Sequence, residues 1–223
     1  MNVLGIDTAT PSTAVGLLTS AGELFEARDT VAAGERGRHA ERVLVEARDL
    51  LAAAKLDWSD LEAIAVGVGP GGYTGLRIGL ATARGLAFAC HARLIGVGTL
   101  RALAEPLGTA TTLAVIDARR GELFAGAYVD DVEVLAPRVI APPSLPDVVG
   151  ALRGAPLLAV GNGALAHRDI LERLGVELPD AGSALHQVSG RAICRLALVS
   201  ADTSATPLYL RRPDAELALD AKR

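Results

Sequence analysis

The sequence predicts an α/β protein built of two similar tandem domains, each a mixed sheet with the element order β-β-β-α-β-α. Three observations carry that expectation. The same order of extended and helical segments is read twice along 223 residues. Leu4-Gly5-Ile6-Asp7 in the first half matches Ala114-Val115-Ile116-Asp117 in the second, as an internal duplication would. The run Ala63–Val68 is apolar without alternation, the pattern of a parallel strand buried on both faces. The expected spans are 1–105, 106–211 and a charged, mobile tail 212–223, with a cleft between the two domains.

Val3–Ala9, Thr13–Thr19 and Glu23–Val31 read as successive strands, because Thr10-Pro11-Ser12 and Ser20-Ala21-Gly22 are short enough for hairpins. From Arg36 to Leu56 a helix is expected: Ala40, Val43, Leu44, Ala47, Leu50, Leu51 and Ala54 share one stripe, with charged residues opposite. A glycine-rich turn follows Ala63–Val68, then a helix Tyr73–His91, a strand Arg93–Val97 and a short helix Thr99–Leu107. In the second half, Thr112–Asp117, Glu122–Val129 and Glu133–Ile140 are expected strands. A helix Asp147–Leu152, a strand Pro156–Gly161, helices Ala164–Leu174 and Gln187–Ser200, and an extended Pro207–Arg211 complete the chain.

Half of the residues are hydrophobic but only 3% are aromatic, so the core must be built from Ala, Val, Leu and Ile. No apolar run reaches the roughly 18 residues that a membrane helix needs. The chain opens directly on a strand without a basic leader, so a cytoplasmic protein is expected. The two cysteines, Cys90 and Cys194, are expected to be reduced core residues. A net charge of −4 argues against gripping nucleic acid unaided, so any contact with RNA must pass through a partner.

Gly67-Val68-Gly69-Pro70-Gly71-Gly72 fits G-x-G-x-x-G after a strand, but no acidic residue stands about 20 positions on, as a dinucleotide site requires. Nor does Tyr73-Thr74 supply the Gly-Lys-Ser/Thr of a phosphate loop. A tight structural turn is the expected role. Asp7 and Asp117 each end a hydrophobic strand. They could face a nucleotide phosphate through Mg²⁺, or brace a turn by bonding the backbone two residues on, and both readings stay open. Gly161-Asn162-Gly163 could likewise cradle a nucleotide or simply turn the chain. His39 and Val43, four apart on a helix, leave one imidazole where a metal grip needs two, so no metal is expected.

The helix Tyr73–His91 is apolar nearly all round, with Arg77 and Arg84 sharing one face and Gly75 and Gly79 offering close backbone approach. Either its own domain encloses it or a partner covers it. The partner reading assigns a protein-binding surface to His39, Val43, Leu44, Ala47, Leu51, Gly75, Leu76, Gly79, Leu80 and Ala83.

Val68-Gly69-Pro70-Gly71-Gly72-Tyr73-Thr74-Gly75-Leu76-Arg77-Ile78-Gly79 resembles the signature of the TsaB family of tRNA threonylcarbamoyladenosine biosynthesis proteins. Leu4-Gly5-Ile6-Asp7-Thr8, His39-Ala40-Glu41 and Pro207-Leu208-Tyr209-Leu210-Arg211 resemble that family in the same order, from residue 3 to about 211. The resemblance implies tandem actin-like (ribonuclease H-like) domains. It also implies a non-catalytic subunit that stabilises and activates a TsaD-like transferase, joined by a TsaE-like ATPase, acting on tRNAs that read codons beginning with A. It implies no tightly bound cofactor, leaving room for weak ATP or ADP binding at Asp7, Asp117, Gly161 and Gly163, and a homodimer when the chain is alone. The rival reading is a free-standing phosphotransferase of the same fold using ATP and Mg²⁺. Against it, Thr8–Thr13 lacks the glycines of a phosphate turn.

Overall fold

A computed structural model describes residues 1–30, 37–105, 111–130, 132–152, 157–200 and 202–211. Val31, Arg36, Leu107, Pro156 and the tail 212–223, which figured in the expected elements, lie outside the described residues. Three strands, β1 (Val3–Asp7), β2 (Thr13–Leu18) and β3 (Leu24–Asp29), lead into α1 (His39–Ala54), β4 (Ala63–Gly67), α2 (Tyr73–Ala89), β5 (Arg93–Val97) and α3 (Thr99–Ala104). The second series is β6 (Thr111–Arg119), β7 (Glu122–Val129), β8 (Val132–Ile140), α4 (Leu145–Ala151), β9 (Leu157–Val160), α5 (Asn162–Ala166), α6 (Arg168–Arg173) and α7 (Gly190–Ala197).

The duplication is visible in the pairing. In the first sheet, ordered β3-β2-β1-β4-β5, β1 pairs antiparallel with β2 and parallel with β4. In the second, ordered β8-β7-β6-β9, β6 pairs antiparallel with β7 and parallel with β9. Leu4–Asp7 and Ala114–Asp117 thus lie on equivalent central strands. The copies differ at one edge. Where the second sheet would add a fifth strand, only Glu177 forms a parallel bridge, to Leu158, and Pro179 two residues on has no N–H to continue a ladder. One local expectation is corrected. The helix expected over Ala164–Leu174 breaks into α5 and α6 at His167 (φ −122°, ψ 27°). Pro207–Arg211 belongs to no named strand, and Leu208 N donates to Val68 O at 2.7 Å.

One face of the first sheet is closed by α1 and α2: Leu4, Ile6, Val15, Leu17, Ile64 and Val66 pack with Val43, Ala47, Leu51, Leu76, Leu80 and Ala83. The opposite face is closed by α3, by side chains of the second sheet and by α7 from the far end of the chain, so the packing crosses the division at residue 105. Three glycines permit the α7 contact. Gly5 and Gly16 face each other across β1 and β2, and Gly190 opens α7 above them. A Cβ on Gly16 would collide with the Gly190 carbonyl, and one on Gly5 would lie 2.8 Å from Cys194 Sγ. Glu26 on β3 fixes the helix start, its Oε1 accepting from Ser189 Oγ (2.8 Å) and Gly190 N (2.7 Å). Cys194 is buried beneath this contact and Cys90 is half-buried, both as free thiols.

Gly16→Ala should therefore cost roughly 1–3 kcal/mol, because a methyl group meets backbone that cannot rotate away. Gly85, in α2, has open space around its Cα, and Gly85→Ala should stabilise by about 0.5–1 kcal/mol. Urea unfolding of both variants measures the contrast; equal midpoints would refute it.

Candidate functional site

β1 and β4 end side by side, and the turn Gly67–Gly72 leads from β4 into α2 against them. Asp7, the last residue of β1, is completely buried. Its Oδ1 accepts from Ala9 N at 2.9 Å and its Oδ2 from Thr99 Oγ1 at 2.8 Å. Thr99 passes the connection on: its Oγ1 accepts from Gly69 N (3.1 Å) and its N donates to Gly69 O (2.8 Å). Gly69 has φ +97°, which glycine tolerates and other residues resist. Gly72 N donates to Ala9 O (2.6 Å), and Thr8 Oγ1 donates to Gly75 O (2.8 Å). Asp7 thereby clasps the glycine turn, β1 and α3 together. Burial pushes its carboxyl up to about 6, against the opposing pull of the Thr99 and Ala9 hydrogen bonds.

The remaining nucleotide candidates stand apart. Asp117 is exposed; its Oδ1 accepts from Arg119 N (2.7 Å) and its N donates to Asn162 Oδ1 (3.0 Å). Gly161 N donates to His186 Nδ1 (3.2 Å). A Cβ on Gly161 or Gly163 would strike the β6 backbone at Val115 or Ile116. The structure thus brings Asp117, Asn162, Gly161 and Gly163 together at the end of β6. Asp7 is committed to a separate network.

The expected partner stripe is corrected in the same way. Val43, Ala47, Leu51, Leu76, Leu80 and Ala83 are buried against the chain's own sheet, because β1, β2 and β4 present an apolar face that needs both helices to cover it. Gly75 and Gly79 admit Thr8 of the β1–β2 turn, not a foreign backbone. His39 is buried, with Nδ1 2.9 Å from Thr13 Oγ1. Burial lowers its pKa, with the nearby Asp29 carboxylate acting the other way. Of the ten residues, Leu44 alone is well exposed, at 48%. Among the described residues, no three His, Cys, Asp or Glu side chains are grouped to hold a metal.

Thr74, Arg77, Ala81, Arg84 and Phe88 form the outward face of α2, at spacings of three and four. Phe88 is 85% exposed. The legible signal was that Arg77, Arg84 and Phe88 share one stripe.

Because folding raises the Asp7 pKa from 3.8 to about 6, the folded state holds an extra proton between those values. This contribution favours folding fully below about pH 4 and is lost as pH rises through 6, a difference of about 3 kcal/mol. Asp7→Asn, uncharged at every pH, should gain on the wild type by about that amount between about pH 4 and 7. Urea titrations across this range measure it; parallel stability profiles would contradict the buried-charge account.

Comparisons with known proteins show the family. The family model described as TsaD, tRNA N6-adenosine threonylcarbamoyltransferase, matches residues 35–190. The tRNA threonylcarbamoyladenosine biosynthesis protein TsaB of Escherichia coli is 32% identical over 81% of this chain and 79% of its own length. The solved structure of YeaZ from Pseudomonas aeruginosa superposes with a TM-score of 0.74 at 28% identity, covering 94% of this chain and 99% of that one. The ROK hexokinase of Thermus thermophilus superposes with a TM-score of 0.52 at 13% identity, covering 89% of this chain and 100% of its own, which shows the shared actin-like fold alone. By identity, coverage and superposition, the chain belongs to the TsaB family, within the wider group that the TsaD model describes.

Proposed function

We propose that this chain is the non-catalytic partner subunit of the machinery that forms N6-threonylcarbamoyladenosine in tRNAs reading codons that begin with A. In this reading it stabilises and activates a TsaD-like transferase, works beside a TsaE-like ATPase, meets tRNA only within the complex and self-associates when alone. The observation that carries it is the fate of the α1 positions where a metal grip would sit. Val43 is part of the core and His39 is tied to Thr13, so the helix lacks the second imidazole, four residues on, of a two-histidine grip.

The absence of a tightly held nucleotide is part of the same proposal, and any ATP or ADP binding is weak. In its support, both Asp7 oxygens are already engaged by the chain itself. The phosphotransferase reading gains nothing from the geometry, since the same engagement keeps Asp7 from a Mg²⁺-bound phosphate. The partner surface is the outward side of α1 and α2, where Leu44, Arg77, Ala81, Arg84 and Phe88 are exposed. No helix among the described residues is long and apolar enough to cross a membrane, and the reading places the protein in the cytoplasm.

Purified chain incubated with threonylcarbamoyl-adenylate and tRNA should transfer nothing. Adding the transferase subunit from the same host should give modified tRNA, and more of it than that subunit gives alone. Transfer by the isolated chain would refute the proposal.

A further inference from the structure

After α7 the chain runs back as a strap over the first sheet, and its last described residue, Arg211, lies on the second. Ser200 Oγ donates to Gly96 O (2.9 Å) and Gly96 N donates to Asp202 O (2.9 Å), so the strap starts along the β5 edge. Asp202 Oδ1 closes a turn by accepting from Ser204 N (2.9 Å) and Ala205 N (3.2 Å). The strap then crosses the glycine turn at Leu208 and reaches the β6–β7 hairpin. There Arg211 Nη1 donates to Ala118 O (2.8 Å) and Glu122 Oε2 (3.0 Å).

On its way the strap touches both arginines of the outward α2 face. Arg84 Nη2 donates to Ala205 O at 3.3 Å. Arg77 lies 3.9 Å above the centre of the Tyr73 ring, which meets the Tyr209 ring at 5.3 Å between centroids, and the Tyr209 hydroxyl is 3.5 Å from Arg77 Nε. Neither arginine pairs with a carboxylate among the described residues, although the chain as a whole is acidic. Exposed arginines ordinarily sample many rotamers, and ordering them on binding weakens association; these two are held beforehand.

We propose that the strap is a positioning element of the partner surface, holding Arg77 and Arg84 ready for the carboxylates of an acidic amphipathic helix on a protein partner. The three-and-four spacing of Thr74, Arg77, Ala81, Arg84 and Phe88 is the seam against which a second helix packs. Ala81 lets that helix come close between the arginines, and Phe88 supplies an apolar anchor at the end. Two guanidinium groups without acidic partners among the described residues select carboxylates by charge. Tyr209 and Arg211 act through Arg77: the first holds it, and the second anchors the strap that carries the first.

The inference rests on the reading of the chain as a partner subunit. The test is calorimetric titration of the full chain with the TsaD-like subunit of the same host, at low and high salt. Arg77→Glu and Arg84→Glu should each weaken binding roughly tenfold or more and flatten its salt dependence. Tyr209→Ala and Arg211→Ala should weaken it several-fold with unchanged circular dichroism, and Tyr209→Phe, which keeps the ring, should do so less. Adding Tyr209→Ala to Arg77→Ala should cost nothing further, whereas a general loss of fold would add. A wild-type chain that does not bind the subunit overturns the partner reading and the inference with it. A wild type that binds no better than the Arg77→Glu and Arg84→Glu chains overturns the inference alone. If these variants lose binding to a labelled tRNA, or lose only self-association, while subunit binding is unchanged, the surface belongs to RNA or to a second copy, and the proposal fails.

Discussion

The backbone contact between the first turn of α7 and the β1–β2 pair organises the molecule. Gly5, Gly16 and Gly190 remove the side chains that would hold helix and sheet apart, and Glu26 accepts from the helix start. This closes one face of the first sheet with a helix drawn from the other end of the sequence. The two sheets then share one hydrophobic cluster, which holds Val3, Ala65 and Val97 together with Ile116, Phe124 and Val160. With that face taken, α1 and α2 must cover the other, and their apolar stripes are committed before any partner arrives. The chain beyond α7 follows the β5 edge and crosses the glycine turn, which is the path of the strap.

The duplicated strands show how one sequence position acquires two chemistries. Asp7 and Asp117 both lie towards the end of a central strand. Asp7 is sealed beneath the turn that Gly67 and Gly69 make possible, where burial penalises its charge and two donors partly offset that penalty. Asp117, on the copy that keeps only a bridge in place of a fifth strand, stays exposed beside Asn162. The first copy has turned the position into a clasp; the second leaves it accessible at a strand end.

Much of this was legible in the residues. Alternating short strands with hairpin-length separators, the unbroken apolar β4 and the repeat of β1 in β6 were sufficient for the two sheets and their order, because periodicity and turn length act locally. The occupant of the α1 and α2 stripes was not legible. An apolar stripe says that something covers it, and Leu76, Leu80 and Ala83 carry no mark distinguishing their own sheet from a foreign helix. The destination of α7 was also hidden, since no local pattern in Gln187–Ser200 names the sheet it joins. A pairing of Gly5 and Gly16 in register, with Gly190 at a helix start, was a signal, but only once β1 and β2 had been aligned. The destination of the extended Pro207–Arg211 was hidden too, since nothing in its residues names Val68 and the second sheet's hairpin as its hydrogen-bond partners.

The central claim is that the chain meets its partner through the outward side of α1 and α2, the inward stripes being sealed in its own core. Hydroxyl-radical footprinting of the chain, alone and with the transferase subunit, tests this residue by residue. Phe88 and Leu44, reactive in the free chain, should become protected in the complex, while Leu76 and Leu80 should be unreactive in both. Reactive Leu76 and Leu80 in the free chain that become protected on binding, with Phe88 unchanged, would contradict it.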